Sequence, residues 1–163
     1  MATKMREAIF NTEVVNTQKH FGRFAYKLGD MIPSATLRFI PEKPCDIITC
    51  TDRGQLVAIE SKQIKKWGGL KGKMLRDNQV TALDKVVKNS GLAFLFLNIR
   101  IPRHNDQQAE NWCVVFNWAI HREAIMNNEY TTAVLKDGYV GTWVRPFKVG
   151  KKIMWELKNL SKM

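Results

Sequence analysis

Asp46-Ile-Ile-Thr-Cys50, Thr51-Asp-Arg-Gly-Gln55 and Leu56-Val-Ala-Ile-Glu-Ser-Lys62 succeed one another without a gap. The first and third stretches are β-prone, and the Asp, Arg and Gly of the middle one mark a turn. Together they predict a β-hairpin. Successive strand residues point to opposite faces, so Glu60 and Lys62 project to the same one. The hairpin brings Asp46 alongside them. Charged residues among Ile47, Ile48, Val57, Ala58 and Ile59 require a reason, because such strands are ordinarily buried.

Outward from the hairpin, periodicity and breakers define the other elements. Residues 5–21 suit a helix with Ile9, Val14, Val15 and Phe21 on its apolar side. Gly22, Gly29-Asp30 and Pro33 break that pattern, and Ser34 to Phe39 reads as a short strand. Asp77 to Asn89 carries Val80, Leu83, Val86 and Val87 at helical spacing, with Gly91 as its stop. Ala93 to Ile101 is a nearly continuous apolar run of the kind found in a buried central strand. Trp112 to Ile120 reads as the next strand and His121 to Leu135 as a helix. Near the end, Ile153, Leu157 and Leu160 suit a helix, whereas Thr142 to Phe147 suits a strand. The resulting order, α-β-β-β-α-β-β-α, indicates an α/β class with a mixed β-sheet flanked by helices, in a single domain over residues 1–163.

Composition narrows the function classes. Lys and Arg outnumber Asp and Glu by 26 to 15, a net charge of +11, which favours a polyanionic partner and nucleic acid above all. No apolar stretch approaches the ~18 residues of a membrane span, and the amino terminus runs into no apolar signal segment. Cys45, Cys50 and Cys113 show no C-x-x-C spacing, which argues for free thiols in a reducing compartment and against zinc. His20, His104 and His121 have no ligand spacing.

Two carboxylates on adjacent strands suit a divalent cation such as Mg²⁺, which prefers hard oxygen ligands, and the Ser61 carbonyl can add a third. A cation there activates water and offsets charge on a phosphate, while Lys62 can orient the nucleophile or stabilise developing negative charge. A bare Glu-x-Lys arises about once by chance in a chain of this length. Glu156-Leu-Lys158 is such a copy: it lies in a helix-like pattern, where i and i+2 do not face together, and no hairpin aspartate precedes it. It reads as a solvated pair.

Pro44-Cys-Asp46-Ile-Ile and Ile59-Glu60-Ser-Lys62 resemble the PD-(D/E)xK nuclease superfamily. Within it, Lys43 to Ile48 and Val57 to Gln63 are similar to the metal hairpin of Holliday junction resolvases of the archaeal Hjc and bacterial RecU types. Arg76-Asp-Asn-Gln79, a helix, Gly91 and the apolar strand at Ala93–Ile99 resemble the segment after that hairpin in those enzymes. The resemblance spans roughly residues 10–100. It implies a restriction-endonuclease-like sheet, a Mg²⁺ cofactor for which Mn²⁺ substitutes, and a metal site that includes a glutamate of the first helix. Glu13 is the best match for that glutamate and Glu7 its rival, so the implied catalytic set is Glu13, Asp46, Glu60 and Lys62, with Glu13, Asp46 and Glu60 at the metal. Two departures stand out: Cys45 separates Pro44 from Asp46, and the segment from His20 to Pro44 is too short for the RecU stalk. A stalkless type fits better, and the small basic form suits a phage-encoded enzyme.

The expected activity is therefore Mg²⁺-dependent resolution of four-way junctions by paired nicks, in the cytoplasm (the host's, if phage-encoded), without a small-molecule cofactor. A homodimer is expected, since a two-fold dimer presents two sites to the two strands that must be cut, and the Trp112–Ile120 strand could supply its interface. The alternatives are another nuclease of the superfamily, of restriction or repair type, and a nucleic-acid binding module that does not cut. Candidate DNA contacts are Ser34, Thr36 and Arg38 before the hairpin and Lys65, Lys66, Lys71, Lys73, Arg76 and Gln79 after it. Most of the latter lie on what reads as a flexible glycine-containing basic loop. Trp67 in that loop is either a stacking wedge or a packing anchor. Arg145, Lys148, Lys151 and Lys152 form a second basic cluster, either an extension of the footprint or a solvated face.

Overall fold

The computed structural model describes residues 2–29, 43–103, 108–158 and 160. In chain order these form α1 (Ala2–His20), β1 (Ala25–Lys27), β2 (Ile47–Cys50), β3 (Leu56–Ile64), a single 3-10 turn (Gly72–Met74), α2 (Asp77–Lys88), β4 (Leu92–Ile101), β5 (Glu110–Asn117), α3 (Trp118–Met126), α4 (Thr132–Lys136), β6 (Thr142–Val144), β7 (Pro146–Val149) and β8 (Lys152–Trp155). The fold is mixed α/β. A six-stranded sheet runs β1-β2-β3-β4-β5-β6; β3 and β4 are parallel and the other neighbours antiparallel.

The sheet has a layer on each face. On one side Phe10, Val14 and Val15 of α1 pack with Trp155, Leu157 and Leu160 over Ile47, Val57, Ile59, Phe94, Phe96, Cys113 and Val115. On the other, Leu83 of α2, Ile125 of α3 and Leu135 of α4 cover Ala58, Leu95, Leu97, Ile99, Val114 and Phe116. Because both faces are buried, β4 needs apolar residues at every position from Ala93 to Leu97, which is why it reads as a continuous run and not an alternating one.

Several boundaries differ from the sequence reading. The strand expected over Ser34–Phe39 lies outside the described residues, and the first observed strand is Ala25–Lys27, paired with Ile47–Thr49. On α1, Ile9 is exposed and Phe10 takes the buried place, edge-on to Trp155 at 5.4 Å. The strand expected to run to Ile120 stops at Asn117, whose side chain accepts from the Ala119 backbone N–H and so starts α3. The helix expected over His121–Leu135 is two helices, interrupted by a turn in which Asn128 takes a positive φ of 61°.

Ile153 is in a strand: β7 and β8 form a separate hairpin docked on α1 through Thr17, whose hydroxyl accepts from the Trp155 N–H at 3.0 Å. At the end of α2 it is Ser90 that takes the left-handed conformation, φ 62°. Gly91 is required for closeness, since a Cβ there would meet Val86 Cγ1 at 2.7 Å. Among the described residues no helix is long and apolar enough to cross a membrane, and all three cysteines are free.

Candidate active site

The predicted hairpin is present, with Ile47 opposite Ile59 and Cys50 opposite Leu56. Asp46 stands just before β2, bound on both sides by backbone: its N–H donates to Ile59 O at 3.0 Å and its carbonyl accepts from Leu28 N at 2.8 Å. Its carboxylate then turns back over β3. Oδ2 accepts from the Ser61 N–H at 3.0 Å, and Oδ1 pairs with Lys43 Nζ at 2.6 Å. A charged side chain is thus fixed without rotamer freedom, because strand, loop and ion pair all hold it.

Glu60 is fully buried on the central part of β3. One oxygen, Oε1, accepts from Lys62 Nζ at 2.8 Å and from Gln79 Nε2 at 2.5 Å. The other, Oε2, is buried and has no hydrogen-bond partner. Burial, then the charge on Asp46, push the Glu60 carboxyl up to about 7, against the opposing pull of Lys62. A buried acceptor without a donor costs about 1–3 kcal/mol, a cost that a cation at this oxygen would relieve.

The helix glutamate at this cleft is Glu7. It lines a cavity of about 430 Å³ together with Asn11, Lys27, Lys43, Asp46, Glu60, Lys62, Arg76 and Gln79. Its carboxyl is held above the usual range by burial; Lys62 pulls it down and Asp46 pushes it up. Glu13, expected here, is elsewhere. Its Oε2 accepts from Arg100 Nη2 at 2.6 Å and from Trp155 Nε1 at 3.3 Å, and it lines a different hollow with Lys27 and Lys152. Six residues along a helix is a turn of about 240°, so the two glutamates cannot share one site.

Gln79, expected as a DNA contact, is buried. As the third residue of α2 it folds back on the helix start, Oε1 accepting from the Arg76 N–H at 2.9 Å, which leaves its amide to hold Glu60. The pattern Arg76-x-x-Gln79 at a helix start was the available signal. Lys43, on the Asp46 carboxylate, was also missed as a site residue; its place three residues before Asp46 was the clue.

Lys65, Lys66, Lys71, Lys73 and Arg76 are all exposed, as a phosphate-binding role requires. Ser34, Thr36 and Arg38 lie outside the described residues. The segment after β3 is not a flexible loop, however. Leu70 N–H donates to Tyr130 O at 2.8 Å and Gly72 N–H to Asn128 Oδ1 at 3.1 Å. Gly69 packs so closely that a Cβ would meet Tyr130 O at 2.8 Å. Gly69 and Gly72 serve contact with the end of α3 and the turn after it, and Lys71 and Lys73 stand on that pinned support. Trp67 is anchored as well, its indole N–H donating to Glu110 Oε1 at 3.4 Å. Arg145, Lys148, Lys151 and Lys152 are exposed around β7 and β8. The strand expected to supply a dimer interface is interior to the sheet, between β4 and β6, and residues 113–116 are buried within the chain.

Among the described residues no three His, Cys, Asp or Glu side chains are gathered into a ready-made metal cluster. The donors nonetheless fit a hard divalent cation. The Asp46 carboxylate repels both Glu60, whose Oε2 is unpartnered, and Glu7, and a cation beside Asp46 would relieve that repulsion.

No protein-family profile matches the chain, and no curated protein matches it in sequence. Among solved structures it is similar to Hjc, a Holliday junction resolvase from the hyperthermophilic archaeon Archaeoglobus fulgidus. The TM-score is 0.42 at 20% identity, over 68% of this chain and 75% of that one.

Proposed function

We propose that this protein is a Mg²⁺-dependent, structure-selective DNA endonuclease that resolves four-way junctions by paired nicks, acting as a homodimer. The observation that carries the reading is the buried Glu60 oxygen without a donor, beside Asp46 and Lys62, in a cleft open to a basic surface. Asp46 and Glu60 would hold the cation, with Glu7 completing the set. When bound, it supplies positive charge against the scissile phosphate and makes water easier to deprotonate.

The chain's own residues supply the rest. The Ser61 N–H and Gln79 amide hold the two carboxylates in place. Lys62, 2.8 Å from Glu60, carries the positive charge that faces an incoming phosphate. Lys65, Lys66, Lys71, Lys73 and Arg76 bind backbone phosphates and fix register without reading sequence.

The test is incubation with a labelled four-way junction and a linear duplex of matching sequence, with and without Mg²⁺. Symmetric nicks in the junction alone, only with Mg²⁺, are expected. Equal cutting of the duplex would move the reading to a restriction- or repair-type nuclease. Junction binding without any cutting would leave only a nucleic-acid binding module.

A further inference from the structure

We propose that Trp67, Trp112 and Trp143, with Lys136 and Arg145, form a platform that stacks the bases of unpaired DNA; its place in the reaction rests on the proposed nuclease activity. Three of the five tryptophans meet at one place. Trp67 and Trp143 lie 6.3 Å apart between ring centroids, tilted by 34°, and Trp112 meets Trp143 edge-on at 6.1 Å. The remaining two, Trp118 and Trp155, are fully buried core residues. The three at the cluster are each partly exposed.

Their surroundings are cationic. Lys136 Nζ lies over one face of the Trp67 ring, 5.5 Å from its centroid, and Arg145 Cζ over one face of Trp112, 5.8 Å from its centroid. Lys65 and Lys66, both exposed, immediately precede Trp67. A carboxylate at the cluster, that of Glu110, receives the Trp67 indole N–H, which fixes that ring.

Aromatic faces beside lysine and arginine are the arrangement that binds single strands: bases stack on the rings and the cations take the phosphates. In a duplex those base faces are occupied by neighbouring pairs, so the platform selects unpaired nucleotides.

Sheet register relates the platform to the cleft. Lys62 lies beside Leu97, Leu97 opposite Val114, and Val114 opposite Trp143, and Trp143 packs with the layer on the Lys62 side of the sheet. Three strand spacings put the Trp143 backbone roughly 14 Å from the Lys62 backbone, on the same side of the sheet.

The experiment measures anisotropy of labelled oligothymidine and of an abasic strand of equal length, in chelator so that cleavage does not intervene. Oligothymidine is expected to bind roughly tenfold tighter than the abasic strand. Trp67→Leu should erase most of that preference, and Lys136→Gln with Arg145→Gln should weaken both strands. Lys85→Gln with Lys88→Gln removes equal charge at the far end of α2 and should leave the preference intact.

Equal binding of the two strands by the native protein would overturn the platform, as would an unchanged preference in a folded Trp67→Leu protein. If Trp67→Leu does not fold, quenching of native tryptophan fluorescence decides. Oligothymidine must quench more than the abasic strand, and equal quenching overturns the proposal. A protein that shows the preference but cuts no junction upholds the platform and removes the nuclease reading.

Discussion

Ile59-Glu60-Ser-Lys62 and Trp155-Glu156-Leu-Lys158 carry the same Glu-x-Lys spacing and share nothing else. In the first, the charged pair is turned inward: Glu60 is buried, Lys62 sits on it at 2.8 Å, and Gln79 closes the other side. In the second, Glu156 and Lys158 face solvent while Leu157 between them is buried. That copy acts through the backbone: the carbonyls of Leu157 and Lys158 both accept from the Arg23 guanidinium. Side-chain spacing alone is therefore uninformative. What distinguishes the copies is that a central strand flanked by β2 and β4 hides the first pair, and hidden charge is retained only where it is used or compensated.

The largest expected effect lies at the buried copy. Asp46→Asn, Glu60→Gln and Lys62→Ala should each slow junction cleavage by at least about 100-fold, with junction affinity within a few-fold of the native protein, because under the proposed function phosphate binding is shared among many lysines while these three act at one phosphate. Gel-based cleavage and binding assays run on the same preparations check both halves. Native activity in any of the three would break the contrast.

The same contrast recurs along α1. Glu7 faces the cleft and Glu13 is engaged by Arg100 and Trp155. Glu7→Gln should slow cleavage by about tenfold or more with little change in melting temperature. Glu13→Gln should do the reverse, leaving the rate alone and costing about 1–3 kcal/mol by depriving these donors of their charged acceptor. Rate and thermal denaturation measured together separate the two. A catalytic defect in Glu13→Gln with an unaffected Glu7→Gln would mean that the wrong glutamate has been placed at the cleft.

Acidity adds a smaller effect. The Glu60 carboxyl is raised in the folded protein from 4.5 to about 7, chiefly by burial. For an acid raised in this way the stability contribution is fully present below the unfolded value and is lost as pH rises through about 7. The metal-free protein should accordingly melt at a lower temperature at pH 8 than at pH 6, and Mg²⁺ should recover much of the difference at the higher pH. Calorimetry across that range should show a flatter profile for Glu60→Gln; an unchanged profile would mean that Glu60 is not the titrating group.

The smallest effect belongs to the exposed copy. Glu156→Gln and Lys158→Ala should each shift stability by less than about 0.5 kcal/mol and leave the cleavage rate within two-fold.

The hairpin was legible in the sequence because its signals are local: alternating faces, a turn and two apolar strands that tolerate no charge without a cause. The order α2, β4, β5, α3 was legible for the same reason, though not the break between α3 and α4. The choice between Glu7 and Glu13 was not, because α1 buries polar residues, Asn11, Glu13, Thr17 and Gln18 among them. Its inward face is thus invisible to hydrophobic periodicity. What claims Glu13 is Arg100, a partner 87 residues away. The end of the chain misled for a related reason. Ile153, Leu157 and Leu160 imitate helical spacing, but their burial comes from docking of β8 and the residues after it on α1 and the sheet. The basic segment after β3 looked mobile because glycine allows freedom; here glycine allows contact, at Gly69 and Gly72.

If Asp46 and Glu60 bind a catalytic cation at the cleft, calorimetric titration of Mn²⁺ into the native protein and into Glu60→Gln will show it without any DNA present. Saturable binding by the native protein is expected at pH 8. It should weaken as pH falls below about 7, because Glu60 takes up a proton, and it should be lost in Glu60→Gln. Equal Mn²⁺ affinity in the two proteins would mean that Glu60 holds no cation and that the cleft is not a metal site of the kind proposed.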